Sequence, residues 1–496
     1  MELELIASHK KPRLNDYIPF LVLASLLILP ITQAFHFNAS LTQLTHNELS
    51  AQIEPINNNL SILTNQPDKS NPFLQVTHAR QNIENTEEFK LEKRELPPAI
   101  GIPPSPNIDH PPICILSDAD FATQGWPGSG TVVDPYRIAN LNINASGTLS
   151  DCIEIRNTQL HFIIANCNLF EAPLNSGISL HNTVNVTLTT NFCFQVHTGI
   201  QIIGCNAVSI HYNFFSNIYY GPGASHKGTG IELQRCNHCD IDNNEFLNLN
   251  WGIVLTESTE VVISENEFED NSCGVLADFS YSSIITKNLC EANQIGITLV
   301  FGSKNVISEN TCFLNTNGID AYYARASILR NNNCTRNFER GIYLQGGGNN
   351  SLEDNHCYFS KYGIYFQSEN KTTSIGNSLS HNRYGLYLDD ESSFNQVLHN
   401  DFMDSFLAHA WNDGRDNVFA GNYWSDYVGW DLNFDGYGEL PYLVPGQSEA
   451  RDYSPRGFTI MLTLQMWAMI LFTCISLLAT MILGRHLSIL AKGEES

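Results

Sequence analysis

The chain has 496 residues, 43% of them hydrophobic, which is enough for a large core, and a formal net charge of −25. That balance speaks against nucleic acid as a partner, because a phosphate backbone demands a basic face. A solvated acidic exterior, suited to solubility at a cell surface, is the simplest reading of it.

In chain order, Lys10, Lys11 and Arg13 precede YIPFLVLASLLILPITQAF, residues 17 to 35. A basic flank before about nineteen apolar residues predicts a signal peptide or an uncleaved anchor, so 1–35 is taken as a cytoplasmic basic end plus that segment. Residues 36–112 are polar and Asn-rich without sustained periodicity, and they close on LPPAIGIPPSPNIDHPP. Proline at that density makes an extended spacer, here a stalk.

A repeat then takes over. Glycines recur every 22 residues from Gly177 to Gly385, with one step of 31 that contains YYGPGASHK and one step of 23. Asparagines keep the same phase from Asn191 to Asn400, fourteen or fifteen residues after each glycine, and a Phe or Cys stands two residues past most of them. Each unit shows two short segments of period-two alternation, as in GIYLQ and VVISENEF, and has no room for a helix. Neither segment can bury its apolar face alone, so successive units must stack with their strands in parallel. A leucine-rich repeat would need a leucine-dense frame with one strand per unit. The pattern predicts an all-β, right-handed parallel β-helix of about 22-residue coils over 113–420, and DCIEIRNTQLHFIIANCNLF (151 to 170) fits one more coil. The asparagines are expected at corners, tolerating left-handed backbone and linking coils through their amides.

The cysteines follow this register. Cys290, Cys312, Cys334 and Cys357 share the phase held by Phe215, Phe246 and Phe268 in other coils, which predicts an interior stack of thiols. Cys205 and Cys236 share a corner phase and are the pair best placed for a bridge between coils. RCNHCD (235 to 240) holds a lone C-x-x-C without the second pair that a zinc or copper site needs, and Cys239 falls where Val186, Val208 and Val261 point inward. The part read as exported has Met403 as its one methionine, which argues against a thioether copper site.

The outward positions of the later coils are aromatic. Tyr343, Tyr365 and Tyr387 occupy one phase, Arg340, Tyr362 and Tyr384 stand just before the glycines, and Gln345, Gln367 and Asp389 lie two residues past the first set. A flat strip of rings edged by amides suits the C–H faces and hydroxyls of sugars. Stacking for strand stability alone is the competing reading. Catalysis would need an acid and a base; Asp389, Asp390 and Asp320 are the candidates, but adjacent residues on a strand face opposite ways, which separates Asp389 from Asp390.

Residues 421–456 form the expected C-terminal cap. Within GNYWSDYVGWDLNFDGYGELPYLVPG, Asp431, Asn433 and Asp435 alternate ahead of Gly436, with Tyr437 offering a carbonyl and Glu439 a carboxylate. Oxygen donors on alternate residues before a tight turn are what calcium requires. The twelfth position is Tyr442, so a further carboxylate, Asp426 or Asp452, would have to complete the shell; an Asx-rich turn without metal is the alternative. The segment 458–483 is uncharged for 26 residues, long enough to span a bilayer within 457–484, and Arg485, His486 and Lys492 follow in a tail, 485–496. Positive outer flanks predict both termini in the cytoplasm and the body outside, at the cell membrane. Asn144, Asn185 and Asn370 in Asn-x-Ser/Thr sequences are compatible with export.

Together with the coils, the opening WPGSGTVVDPYRIANLNI and the closing GNYWSDYVG, DGYGELPY and DYSP segments resemble archaeal membrane-anchored right-handed β-helix proteins of the NosD-like type, which share the repeat of carbohydrate-binding proteins and sugar hydrolases. The resemblance covers about 115 to 455 and is specific for fold. It implies polysaccharide or glycoprotein as the partner class. The family's namesake also implies a role in loading copper into an extracytoplasmic enzyme. A non-catalytic glycan binder is the function expected, with a polysaccharide lyase, hydrolase or epimerase and a copper-maturation accessory as alternatives.

Overall fold

The computed structural model describes residues 107–218, 227–433, 435–456 and 471–482. The N-terminal hydrophobic segment, nearly all of the spacer, the insert at 219–226 and both ends of the C-terminal hydrophobic run lie outside the described residues. Residues 471–482 are helical. Among the described residues no helix is long and apolar enough to cross a membrane.

The body is an all-β, right-handed parallel solenoid of about 13 turns. Its first strand, Ile108–His110, lies in the stretch read as spacer and pairs in parallel with Leu141–Asn144. A short helix, Asp118–Thr123, covers the N-terminal end of the core: its Phe121 is fully buried and stacks on Tyr136 at 4.7 Å between centroids. Asp120 holds the helix start by accepting the Leu116 and Ser117 N–H groups, each at 2.9 Å.

Each regular coil has three strands, where the sequence pattern displays two. Trp251–Thr256, Val262–Ser264 and Glu267–Glu269 pair in parallel with Cys273–Asp278, Ile284–Thr286 and Leu289–Glu291 one coil later. The third strand is three residues long with a single buried side chain, Phe268 in this coil, too short to display an alternation.

The 22-residue glycine is required by space. A Cβ on Gly252 would stand 2.6 Å from the Gly274 carbonyl oxygen and 2.5 Å from the Phe268 ring, so the next coil and the core aromatic leave no room for one. The same carbonyl clash recurs at Gly274, Gly296, Gly318, Gly341 and Gly363.

The asparagines form the ladder that the phase predicts. Asn266 Oδ1 accepts from both the backbone N–H and Nδ2 of Asn244 at 2.9 Å, while Asn266 Nδ2 donates to Ile241 O at 2.9 Å and to Asn288 Oδ1 at 3.0 Å. The expectation that these asparagines take the left-handed conformation is corrected. The residue ahead of each does so: Glu265, Lys287, Glu309 and Asn331 have φ between 53° and 56°. A non-glycine residue there costs about 1–2 kcal/mol, which the buried ladder bonds that follow offset at about 1 kcal/mol apiece. Five residues further on runs a second ladder, Asn271, Asn293, Asn315 and Asn337, with amide contacts of 3.0 to 3.1 Å.

Cys290, Cys312, Cys334 and Cys357 are buried in register, continuing the column of Phe215, Phe246 and Phe268. The Cys205–Cys236 bridge does not form, and every cysteine of the described residues is a free thiol. The two cysteines stand at corners one coil apart, beside the Asn206–Asn237 bridge, and each sulfur turns to a backbone carbonyl of its own corner, Cys205 to Ile203 O and Cys236 to Gln234 O, both at 3.4 Å.

Candidate binding face

The first strand of every coil contributes to one outer sheet, and parallel register converts equal phase into vertical rows. One row reads Asp320, Tyr343, Tyr365, Tyr387, Trp411. Beside it runs Asn317, Arg340, Tyr362, Tyr384, Ala408. On the other side lie Tyr322, Gln345 and Gln367.

The rings form a cluster rather than a flat strip. Tyr343 and Tyr365 are 5.2 Å apart and tilted by 49°, whereas Tyr365 and Tyr387 meet edge to face at 86°. Tyr362 and Tyr384 do stack, at 5.4 Å and 12°, and each presents an edge or face to Tyr387. Trp411 closes the group edge-on to Tyr384. Edge-to-face contacts are the arrangement that ring quadrupoles prefer, so the cluster is self-consistent without ligand.

Tyr343 differs from the others in being covered, at 3% exposure. The Arg340 guanidinium lies 4.0 Å above its ring centre, and its hydroxyl donates to the Gln345 and Gln367 side chains. Tyr343 therefore supports the face from beneath, and Tyr362, Tyr365, Tyr384, Tyr387 and Trp411, all partly exposed, form its surface. Burial pushes the Tyr343 hydroxyl up to about 12, keeping it a donor at neutral pH.

The carboxylate candidates do not converge. Asp320 is completely buried; its Oδ2 accepts from Asn317 Nδ2 at 2.9 Å and from Tyr322 OH at 3.1 Å, while its Oδ1 has no partner. Desolvation raises its pKa to about 6, against the pull of Arg340, Asn317 and Tyr322. Asp389 Oδ1 is occupied in a turn, accepting the Ser368 N–H at 2.9 Å and Ser392 Oγ at 2.7 Å, and Asp390 stands exposed beside it. Tyr387 OH donates instead to Asp413, at 3.2 Å.

Trp411 escapes sequence reading for a definite reason. Its coil carries His409 where the others carry the register glycine, so the glycine repeat ends at Gly385 although the strand Ala408–Asn412 continues the stack. His409 is buried, its Nε2 lies 3.2 Å from Ser425 Oγ and 3.3 Å from Asp426 Oδ1, and burial lowers its pKa while Asp426 and Asp404 oppose the shift.

In the cap, Asp431 Oδ2 accepts the Gly436 N–H at 3.0 Å, Asn433 Oδ1 accepts that of Asp435 and Asp435 Oδ1 that of Tyr437, both at 2.9 Å. The loop is thus an Asx-rich turn whose side-chain oxygens accept its own donors, Asp435 Oδ2 taking Asn433 Nδ2 at 3.0 Å as well, while Asp431 Oδ1 is buried without a partner. Tyr437 bridges to Arg456, and Glu439 is exposed, its N–H bonded to Trp430 O. Asp452 is committed elsewhere: fully buried, it ends the asparagine ladder by accepting from the N–H groups of Gly421, Asn422 and Ser454, from Asn422 Nδ2 and from the Trp424 indole. Asp426 accepts from Tyr442 OH at 3.2 Å. Among the described residues no group of three or more His, Cys, Asp or Glu is gathered so as to hold a metal ion.

The chain matches two family models. Residues 128–280 and 198–325 match one described as a right handed beta helix region. Residues 274–429 match NosD, described as a periplasmic copper-binding protein. The second stretch contains the whole aromatic cluster. No curated protein matches the chain. Solved structures similar to it include the periplasmic alginate epimerase AlgG, at 15% identity over 64% of this chain and 76% of that one with a TM-score of 0.39. The Azotobacter vinelandii mannuronan C-5 epimerase AlgE4 A-module is similar at 10% identity over 69% and 92%, TM-score 0.40. An exopolygalacturonase from Thermotoga maritima follows at 10% over 54% and 84%, TM-score 0.41. Likeness at that level carries no argument about activity.

Proposed function

We propose that this chain is a membrane-tethered, extracytoplasmic β-helix that binds a cell-surface or environmental polysaccharide or glycoprotein without turning it over. The observation that carries the reading is the five partly exposed rings, Tyr362, Tyr365, Tyr384, Tyr387 and Trp411, gathered on consecutive coils of one sheet and bordered by Gln345, Gln367 and Asp413. Apolar faces with a few placed amides and carboxylates suit a sugar's C–H surfaces and hydroxyls. Binding is favoured over catalysis because Asp320, the carboxyl with the pKa most suited to proton transfer, is buried out of reach of a sugar on that face. Calcium in the loop Asp431, Asn433, Asp435, Tyr437 and Glu439 would brace the cap. The match to the NosD model supports a second reading, an accessory role in copper-enzyme maturation.

A glycan array separates these. The triple variant Tyr365→Ala, Tyr387→Ala, Trp411→Ala is expected to lose binding at least tenfold, since each ring packed on a sugar is worth roughly 1 kcal/mol. Unaltered binding removes the platform from consideration. If the wild-type chain releases sugar fragments and Asp320→Asn stops the release, catalysis replaces binding as the function.

A further inference from the structure

The C-terminal cap carries a feature that glycan binding does not use. Val428, Trp430, Leu432, Leu440 and Leu443 are each at least 60% exposed, and Tyr453 projects just past the last strand. They share the stretch with exposed Asn433, Asp435 and Glu439, and large apolar side chains left this open in a folded cap are those that a further surface would cover.

That stretch is tied to the chain's exit from the fold. Gly438 N–H donates to Pro455 O at 2.8 Å, Tyr437 bridges to Arg456, and Tyr442 and Leu443 pair antiparallel with Asp452 and Arg451. Glu439 N–H in turn donates to Trp430 O at 3.0 Å. Two residues past Arg456 the sequence enters its uncharged run, 458 to 483. Two residues of extended chain reach about 7 Å. A headgroup layer beside a hydrocarbon core of about 30 Å is about 5–7 Å deep. A cap held on so short a tether must lie against the bilayer that the run enters.

We propose that Val428, Trp430, Leu432, Leu440, Leu443 and Tyr453 form a seat on a lipid bilayer surface. The aliphatic side chains enter the acyl boundary, and the indole and phenol lie at the headgroup level, where amphipathic rings are most stable. Exposed Arg451, paired across the strands with Leu443, meets the phosphate layer. The seat would fix the solenoid's C-terminal end at the membrane. This rests on the reading of 458–483 as a span, part of the function proposed above.

The test uses the full chain reconstituted into phosphatidylcholine vesicles whose acyl chains carry bromine near the headgroup, with tryptophan emission as the readout. Trp467, inside the run, contributes equally to every variant. Trp430→Phe is expected to remove quenched emission, whereas Trp251→Phe, on a distant coil, removes only unquenched emission. Leu432→Asp with Leu440→Asp, both at exposed positions, should lower the Trp430 quenching at least twofold. A chain that floats with the vesicles but shows the same quenched emission with and without Trp430 overturns the seat alone. A chain that does not float overturns the span, and the seat with it.

Discussion

Two columns of repeated residues run along this molecule, and they differ in how completely their polar groups are used. In the inner column Asn266, Asn288 and Asn310 are buried, and each amide bonds to the coils on both sides. In the outer column Tyr365, Tyr387 and Trp411 are partly exposed; Tyr365 and Tyr387 meet edge to face, and Trp411 meets Tyr384 of the neighbouring row at 82°. Both columns arise from the same parallel register, so repetition alone does not separate structure from function. Satisfaction does: a column whose polar groups are spent inside the fold explains itself, and one that leaves ring surface open to solvent is available to a ligand.

The comparison breaks most visibly inside. Asn310→Ala would remove a donor to Ile285 O and leave the Asn288 backbone N–H and amide without their acceptor, and is expected to cost about 3–5 kcal/mol in chemical denaturation. A cost under about 1 kcal/mol would show that the ladder is dispensable.

Between the columns in character lies Asp320, which sits on the outer sheet yet is buried. Its raised pKa means that the folded chain keeps a proton the unfolded chain has released between about pH 4 and pH 6, so this group's contribution falls as pH rises through that window and is level above it. Asp320→Asn is therefore expected to stabilise the fold by up to about 3 kcal/mol at pH 7.5, with the gain fading by pH 4 in thermal melts. A gain independent of pH would refute the buried charge.

On the exposed column, Tyr365→Ala should cost the fold only about 1–2 kcal/mol while weakening glycan binding, whereas Tyr343→Ala should cost more because that ring is covered by Arg340. Equal costs in denaturant would erase the distinction between support and surface. The smallest effect belongs to the cap loop: on the proposed calcium reading, calcium at ten times its dissociation constant is expected to add about 1.4 kcal/mol, read as a melting shift reversed by chelator and absent in Asp431→Asn, and no shift would leave an Asx turn without metal.

Much of this was legible before any coordinate. The 22-residue glycine and asparagine phases dictate stacking, because units too short to bury a face alone have no other way to do so, and the rows of outward tyrosines follow from a period of two. The third strand was hidden because Glu267–Glu269 buries one side chain, and Trp411 because His409 replaces the glycine that marks each coil. The left-handed corner falls one residue ahead of the asparagine, because the asparagine supplies the ladder bond and its neighbour takes the strained backbone.

By itself the sequence determined coil length, parallel stacking, the inner column and the phase of the outer one, all of which depend on local spacing. Only the tertiary structure decided which outward residues remain outward. Tyr343 is covered because Arg340 stands in the neighbouring row, three residues away along the strand but over the ring in space, and Asp320 is buried where a row of aromatics begins. It also decided that Asp452 closes the asparagine ladder: the last coil must present an acceptor to Asn422, and a carboxylate from thirty residues downstream is what the folded chain brings there.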